Sequence, residues 1–494
     1  MWGELRSYVV EMVYTCFFLS WHMTLPLFQE YVQAEISKKY HLDTSDFKKG
    51  NSYSGNFHPP NTDNITTPST SAQEESAISI LSLQIAEGLP AVVSVIILGA
   101  VGDRTGRRKI MIVLPTLGIT AYSLLYILIL YTGWNIDGLF MASALRGLSG
   151  SSVSLMAGSS FYAINSVAPE NRSSRLAVQE FINGATYAIG NIVVGVWVHY
   201  SGFLQPFWFT FCLSLFSVFL VVFGVEEIQT ARRTEPSTEN CCYDTFQPLL
   251  KLFKCKDAAL LKIWFAILAF QTYAMVHIGQ LNTLVLYLLG KPFVWPSVKI
   301  GIFLSVGMAC SALGTVLAVP FLRYHVSDTT IAAVGLVSKA AGTLWIGVIQ
   351  SEAVLYFSIL LLAFQLLPFP MMRAIVSRGI HPTDQGSLFA LMHCAESLIH
   401  FLSPLIFTVI YASTLRFYTG FIFIVAAIIL LIPAGFTLGI KYLDSKISVD
   451  YQAMEDRGTE LAASPSVASS SNFDDLASLA SSQNNAPIST ISVS

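Results

Sequence analysis

The chain has 494 residues, of which 53% are hydrophobic and only 12% are charged, and its formal net charge is -3. Because a soluble domain carries about 25% charged residues, this composition excludes an ordinary water-soluble protein. The sparse and slightly negative charge also argues against a nucleic-acid partner.

Twelve apolar segments follow one another along the chain. A helix needs about 20 predominantly apolar residues to cross about 30 Å of hydrocarbon. Segments of that length, which we number spans 1 to 12, fall at 8–29, 77–101, 110–131, 138–164, 175–199, 204–225, 259–286, 300–322, 329–350, 353–376, 387–411 and 417–440. Span 1 contains Glu11, lacks a small-residue cleavage site and is too long for the apolar core of a signal peptide, so we expect it to remain as a helix.

Lysine and arginine gather in the connections that follow even-numbered spans. They are Arg104, Arg107, Arg108 and Lys109 after span 2, Arg172 and Arg175 after span 4, Arg232, Arg233, Lys251, Lys254 and Lys256 after span 6, and Arg378 after span 10. Short cytoplasmic loops are enriched in Lys and Arg. Both termini are therefore predicted to face the cytoplasm.

The connection between spans 1 and 2, about residues 30–76, is predicted to lie on the opposite side of the membrane. It contains the sequon Asn64-Ile65-Thr66, and N-glycosylation modifies extracellular or luminal loops. We therefore predict a glycan on Asn64. The sequon Asn171-Arg172-Ser173 lies on the predicted cytoplasmic side and is expected to stay unmodified.

The predicted organisation is two six-span halves joined by a linker. The N-terminal half covers 1–225, the cytoplasmic linker 226–258 and the C-terminal half 259–441. After about residue 442, Ser, Ala, Asn, Asp and Glu replace the apolar residues and no helical period persists. We expect a disordered cytoplasmic tail over 442–494.

A small set of ionisable side chains lies inside the spans, where a charge costs about 2.5–3.5 kcal/mol or more and marks a polar cavity or a partner. The set is Arg146 in span 4, Glu180 in span 5, His277 in span 7, Lys339 in span 9, Arg373 in span 10, and His393, Glu396 and His400 in span 11. A carboxyl group and an imidazole can carry protons, and a guanidinium fork matches a carboxylate. The set predicts a site for protons and an anion.

The three span 11 residues have the spacing i, i+3, i+7 and so share one helical face. If this face lines a cavity, the side chains of His393, Glu396 and His400 would contact substrate. Two alternatives stay open: the face packs against a neighbouring helix with its polar groups paired, or it holds a metal ion.

The run Gly99-Ala-Val-Gly102-Asp103-Arg104-Thr105-Gly106-Arg107-Arg108-Lys109, between spans 2 and 3, resembles the signature loop of the major facilitator superfamily. The resemblance implies an all-α membrane protein with twelve transmembrane helices in two six-helix halves. Shorter runs resemble solute carrier family 46, the family of the proton-coupled folate transporter. They are Arg373-Ala374, Asp384 to Phe389, Ile410 to Thr414 and Gly420-Phe421, together with Arg146, Glu180 and His277-Ile278-Gly279.

The family resemblance implies roles for the residues inside the spans. Glu180 would couple the proton, His277 would support that coupling, and Arg373 would contact the anionic substrate. Arg146 would either contact substrate or pair with Asp103 or Glu180, and His277 has the alternative of a packing role.

The signature loop implies a gate: Asp103 and Arg107 would fasten the two halves on the cytoplasmic side, near the start of span 11. The sequence departs from the folate transporter at Asn282 and Ser154, where that protein has acidic residues, and in the charged face of span 11. These departures put folate itself in doubt as the cargo.

We predict a secondary active transporter, and not an enzyme, since no nucleophile, base and orienting group come together in the sequence. It would carry an organic anion with protons by alternating access, the cargo being folate-like or another family cargo such as a muropeptide. The proton is the coupling ion, no cofactor is expected, and membrane lipid is the other partner. The predicted location is the plasma membrane, with the endosomal or lysosomal membrane as the alternative. A non-transporting, ligand-sensing membrane receptor is the alternative function.

Overall fold

A computed structural model of the chain describes residues 8–39, 68–105, 107–133, 137–227, 258–290, 292–293, 295–379, 385–414 and 417–446. The predicted glycosylation site Asn64, most of the linker and most of the tail lie outside the described residues. The chain divides into two compact units, Met1–Lys441 and Tyr442–Ser494. The first unit contains the helical bundle up to Lys441.

The described residues form helices and no strands, as the run of apolar segments predicts. In chain order the helices are α1 Val9–Lys39, α2 Pro68–Thr105, α3 Ile110–Thr132, α4 Asp137–Leu148 and Ser151–Asn165, α5 Arg172–Ser201, α6 Leu204–Gly224, α7 Ala258–Leu289, α8 Ser297–Leu322, α9 Asp328–Val348, α10 Glu352–Leu355, Phe357–Leu361 and Pro368–Arg378, α11 Gln385–Thr414, and α12 Phe421–Ile429 continuing over 431–446. Each helix overlaps the predicted span of the same number. α1 continues beyond the predicted end at residue 29 to Lys39, and α2 begins at Pro68, before the predicted start at residue 77.

Helices α4, α10 and α12 are interrupted, α12 only at Leu430. α4 is interrupted at Ser149 and Gly150, and α10 runs through turns over 362–367 before Pro368 starts its last segment. Proline suits the first turn of a helix because its missing N–H has no partner there in any case. Among the described residues, nine helices are long and apolar enough to cross a membrane by length and composition; α1, α4 and α10 are not among the nine.

The two halves meet along two pairs of helices, α5 with α8 and α2 with α11. At Gly184 of α5 an added Cβ would lie 2.8 Å from the Cβ of Ala312 on α8. Glycine is therefore required for this approach of the halves. The largest apolar cluster includes Ile164 and Leu176 from the N-terminal half together with residues of the C-terminal half. The ionisable side chains of α5, α10 and α11 lie at this junction of the halves.

Candidate functional site

Arg373, in the last segment of α10, sits between two carboxylates that belong to different halves. Its Nη1 donates a hydrogen bond to Oε1 of Glu180 on α5, and its Nη2 lies 3.7 Å from Oε1 of Glu396 on α11. The Arg373 side chain is 1% exposed, and the two carboxylate side chains are 3% and 4% exposed. The structure thus brings Arg373 and Glu180 into direct contact.

Aromatic side chains close the space around the guanidinium. The Arg373 Cζ lies 5.1 Å from the ring centroid of Phe270 and 5.9 Å from that of Phe369. Tyr14 of α1 is buried within electrostatic reach of Arg373 and of both carboxylates. In this low-dielectric setting a charge interacts more strongly with its partner than it does in water. The Nε of Arg373 is buried and has no hydrogen-bond partner among the described residues.

Among the span 11 residues, His393 extends the site through its hydrogen bond with Glu396. Nδ1 of His393 hydrogen-bonds Oε2 of Glu396 at 2.7 Å, and both side chains are buried. His400 lies one turn farther along α11, is exposed, and interacts electrostatically with Glu396. The predicted stripe therefore joins Arg373 through Glu396. Within the described part of the chain, no three His, Cys, Asp or Glu side chains are grouped so that they could hold a metal ion.

His277 lies beside Phe369, the ring that also lies near Arg373. Its ring is 5.3 Å from Phe369 and 6.1 Å from Tyr273, and its buried Nδ1 has no hydrogen-bond partner in the described structure. Electrostatic interactions connect it with Lys339 and His400. His277 thus adjoins the site through Phe369 without a hydrogen bond to Glu180.

Lys339 of α9 is 1% exposed and donates a hydrogen bond to Oε1 of Gln365 at 2.9 Å. Nε2 of Gln365 in turn donates to Oγ of Ser311 at 2.8 Å. Gln365 lies in the non-helical part of α10, so the lysine ties α9 to that broken helix. Broken helices in transporter spans commonly line binding sites.

Arg146 pairs with Glu87 and not with Glu180, one of the two partners considered from the sequence; the side chain of the other, Asp103, lies outside the described residues. Nη2 of Arg146 donates to Oε2 of Glu87 on α2, and Ser151 donates to Oε1 of the same carboxylate at 2.8 Å. Glu180 is already engaged by Arg373, so the expected Arg146–Glu180 pair is wrong. Glu87 lies inside predicted span 2, where the same search for ionisable residues would have found it.

The structure describes few contacts of the predicted gate residues, Asp103 and Arg107. The Asp103 side chain and the start of the connection to α11 lie outside the described residues, and Arg107 is exposed, with its backbone N–H bonded to Oγ1 of Thr105 at 3.2 Å. The neighbouring Arg108 is buried, its Cζ 3.9 Å from the centroid of Phe161. The gating role of Asp103 and Arg107 remains a prediction.

A different network fastens the halves at the end of the bundle that bears the 2–3, 4–5, 8–9 and 10–11 connections, which we call the basic end. Arg378 pairs with Asp328 at 2.7 Å and donates to Oγ of Ser173 at 3.1 Å, and that hydroxyl also bonds Asp328. Arg323 donates to Ser174 at 2.9 Å and to Asn171 at 2.5 Å. Ser173, Ser174 and Asn171 belong to the N-terminal half, and the other residues belong to the C-terminal half.

Sequence reasoning did not single out this network, because its members lie at helix ends, where polar residues are expected. Arg378 was noted for its loop charge, and Asp328 begins α9 as an ordinary first-turn acidic residue. The contact across the halves is a property of tertiary structure that no single segment contains.

Residues 11–404 match the family model of the Major Facilitator Superfamily. The chain belongs to this superfamily. It is 24% identical over 437 residues to the lysosomal proton-coupled steroid conjugate and bile acid symporter SLC46A3 of Gallus gallus, an alignment that covers 86% of this chain and 92% of that protein. It is 27% identical over 340 residues to the proton-coupled folate transporter of Rattus norvegicus, covering 68% of this chain and 73% of that protein.

Solved structures show the same fold. The human organic anion transporter MFSD10 superposes with a TM-score of 0.68 at 17% sequence identity, covering 88% of this chain and 99% of that one. The proton:xylose symporter XylE superposes with a TM-score of 0.61 at 12% identity, covering 88% and 96%. The chain is therefore a membrane transporter of the twelve-helix, two-half fold, and it is not an enzyme. The predicted resemblance to solute carrier family 46 is confirmed.

Proposed function

We propose that this transporter carries an organic anion together with protons, and that Arg373 is the group for which the cargo and Glu180 compete. The observation that carries the proposal is the placement of Arg373 between Glu180 of one half and Glu396 of the other. A guanidinium held by carboxylates in a buried site is chemically equipped to accept the carboxylate or sulfate of a cargo instead.

Exchange of partners at Arg373 couples the cargo to a proton. When the cargo anion takes the guanidinium, the Glu180 carboxylate loses its counter-charge in a buried position. An unpaired buried carboxylate is costly, so the group takes up a proton and becomes neutral. Glu180 is therefore assigned proton coupling, and His393 with Glu396 adjusts the charge on the far side of Arg373.

His277, which lies beside Phe369, and His400 are proposed to serve the same proton pathway, because they interact electrostatically with each other. Arg146 is not proposed as a contact for this cargo group, since Glu87 and two aromatic rings enclose it. Asp103 and Arg107 keep the proposed gating role at the basic end.

Access to the site alternates between the two ends of the bundle. The network of Arg378, Asp328 and Arg323 closes the basic end, which we propose faces the cytoplasm together with both termini. A cavity of about 460 Å³ lies at the opposite end between α1 and α2, lined in part by Gln29, Glu30 and Gln84. We propose that cargo enters from this opposite, outer or luminal side.

The cargo class proposed here is an organic anion, which agrees with the names of the relatives. Those names specify a steroid conjugate and bile acid symporter and a folate transporter, and a muropeptide stays a further candidate. The location proposed is the plasma membrane or, as in the relative named lysosomal, an endosomal or lysosomal membrane. Asn64 is proposed as a glycosylation site on the outer or luminal side.

The test is uptake of a panel of labelled anions: a reduced folate, a steroid sulfate, a bile acid and a muramyl peptide. Cells expressing the protein at their surface would be assayed at about pH 5.5 and about pH 7.4, which bracket the histidine range. We expect saturable uptake of at least one anion, faster at the acidic pH and lost in Arg373→Gln at equal surface expression. Saturable binding without accumulation would contradict transport and favour the receptor alternative.

A further inference from the structure

One carboxylate holds both segments of the broken helix α4. Glu87 of α2 accepts a hydrogen bond from Nη2 of Arg146, which lies in the first segment, and one at 2.8 Å from Oγ of Ser151, the first residue of the second segment. The two donors stand on opposite sides of the break. Any bend of α4 at this point must pull at least one of them away from Glu87.

The break itself is built into the backbone. Gly150 has φ +94° and Ser151 has φ +54°. Glycine adopts positive φ without penalty, but serine rarely does, and such a conformation persists only where the surroundings fix it. The hydrogen bond from Ser151 to Glu87 is a contact that fixes it. Interruptions of this kind are the places where transmembrane helices bend.

Most of the Glu87–Arg146 pair is buried, although the Glu87 side chain is 13% exposed. Arg146 is 4% exposed, and its Cζ lies 4.3 Å from the ring centroid of Trp21 on α1 and 4.0 Å from that of Tyr122 on α3. Its buried Nε has no hydrogen-bond partner among the described residues. An added Cβ at Gly147 would overlap the Glu87 carbonyl oxygen, so α2 and α4 touch at this level.

Two tyrosines are further ionisable groups near Glu87 in the described part of the chain. Tyr122 and Tyr126 of α3 both interact with it electrostatically. From α11, the side chain against this turn of α2 is Phe401, beside Gly88. The adjacent His400 interacts with Glu396 and His277. Arg146 is therefore the cation that balances Glu87.

We propose that Glu87 is a second proton-binding site, and that its protonation lets α4 bend at Gly150. The ionised carboxylate needs both donors and clamps the two segments. When one donor leaves, the carboxylate is left poorly paired in a largely buried position, and binding a proton reduces that cost. The proposal rests on the proposed function, because the proton that Glu87 binds belongs to the same gradient that drives transport.

The test measures the bend directly and needs no cargo. Spin labels would be placed at Met141 in the first segment of α4 and at Tyr131 at the end of α3, both exposed, in a background without the seven native cysteines. Met141 is about 13 Å from Gly150 along the helix, so a bend of about 20° moves it by about 4–5 Å. Distances would be recorded in lipid nanodiscs at about pH 5 and about pH 7.5.

We expect the wild-type distance distribution to change between the two pH values, and Glu87→Gln to show the acidic distribution at both. Ser151→Ala removes one donor but keeps the carboxylate, so its pH response should persist. Should Glu87→Gln fold poorly, the pair Glu87→Gln with Arg146→Gln removes both charges together and should likewise lose the response.

The control is Glu180→Gln, which should keep the pH response of α4 even if it alters transport. A pH response that persists in Glu87→Gln, or its absence from the wild type, would overturn this proposal. If the response disappears in Glu180→Gln and persists in Glu87→Gln, the proton acts at Glu180 alone; the proposed function would then stand and the assignment of Glu87 would fail.

Discussion

At the scale of single residues, the site depends on how many charges meet and how deeply they are buried. The Arg373 guanidinium faces the carboxylates of Glu180 and Glu396. His393 forms a hydrogen bond with Glu396. A buried ion pair of this kind adds little net stability, because desolvation offsets the attraction. Its value lies in the exchange of partners that a cargo anion can impose.

Substitution of Arg373 by lysine tests the geometry of that exchange. Lysine keeps the charge but loses the planar fork that binds a carboxylate through two donors. A hydrogen bond to a charged group contributes about 1.5–3 kcal/mol, so we expect KM for the transported anion to rise about 10- to 100-fold. Uptake kinetics at matched surface expression would measure it, and unchanged kinetics would reject a direct contact.

The charged face of α11 can be tested for selectivity. We expect replacement of His393, Glu396 and His400 by Ala, Asn and Met to change the preference among the panel anions, because it removes the charges next to Arg373. Surface expression would be measured in parallel. Reduced folded protein with the same preference would indicate that the face only packs against its neighbours.

At the scale of the helices, apolar length and helical spacing in the sequence were sufficient to place all twelve spans, because burial in lipid requires that backbone groups bond within each helix. The breaks were not foreseen. Ser149 and Gly150 resemble other small residues of span 4, and the turns over 362–367 lie in a run that is apolar apart from Gln365. Tertiary contacts, such as Ser151 to Glu87 and Lys339 to Gln365, hold these breaks in place.

The same limit applies to the site. The sequence predicted Glu180, Arg373 and Glu396 individually, since ionisable residues in spans are conspicuous. It did not predict that the Arg373 guanidinium lies between the carboxylates of Glu180 and Glu396, because these residues belong to separate helices, α10, α5 and α11. Pairing across helices is fixed by packing, and a single sequence records no distances.

The connections at the end opposite the basic end contain a charge pair with a defined pH dependence. Glu352 accepts hydrogen bonds from Lys299 and, at 3.1 Å, from Nε1 of Trp295. The hydrogen bond from Lys299 holds the pKa of Glu352 below its usual value. A lowered pKa stabilises the fold above the unfolded-state value of about 4.3, and this contribution disappears as the pH falls through the lower folded value.

Glu352→Gln should therefore lower the melting temperature slightly, and by the same amount at about pH 5 as at about pH 7. The effect stays small because exposed pairs contribute little. Thermal unfolding of the purified protein in detergent would measure it. No loss of stability in Glu352→Gln at about pH 7 would contradict a lowered pKa, since a carboxyl group with the same pKa in the folded and unfolded protein adds no stability.

At the scale of the whole molecule, the structure is closed at the basic end by bonds between the two halves. Asp328 holds Arg378 and Ser173 together, so Asp328→Asn should weaken the closure. We expect faster modification of a cysteine introduced at Ser377 by a thiol reagent applied from the basic end. Glu352→Gln, the same chemical change at the other end, is the matched control and should leave that rate unaltered.

Proton coupling by Glu180, which loses Arg373 to the cargo, can be tested most directly by counting protons. Proteoliposomes with the membrane potential clamped at zero would take up the anion that the panel identifies. The logarithm of the ratio of its internal to its external concentration would be plotted against the pH difference across the membrane. The slope equals the number of coupled protons. We predict that Glu180→Gln lowers the slope by one while cargo exchange at equal pH continues. An unchanged slope in Glu180→Gln would contradict the coupling role of Glu180.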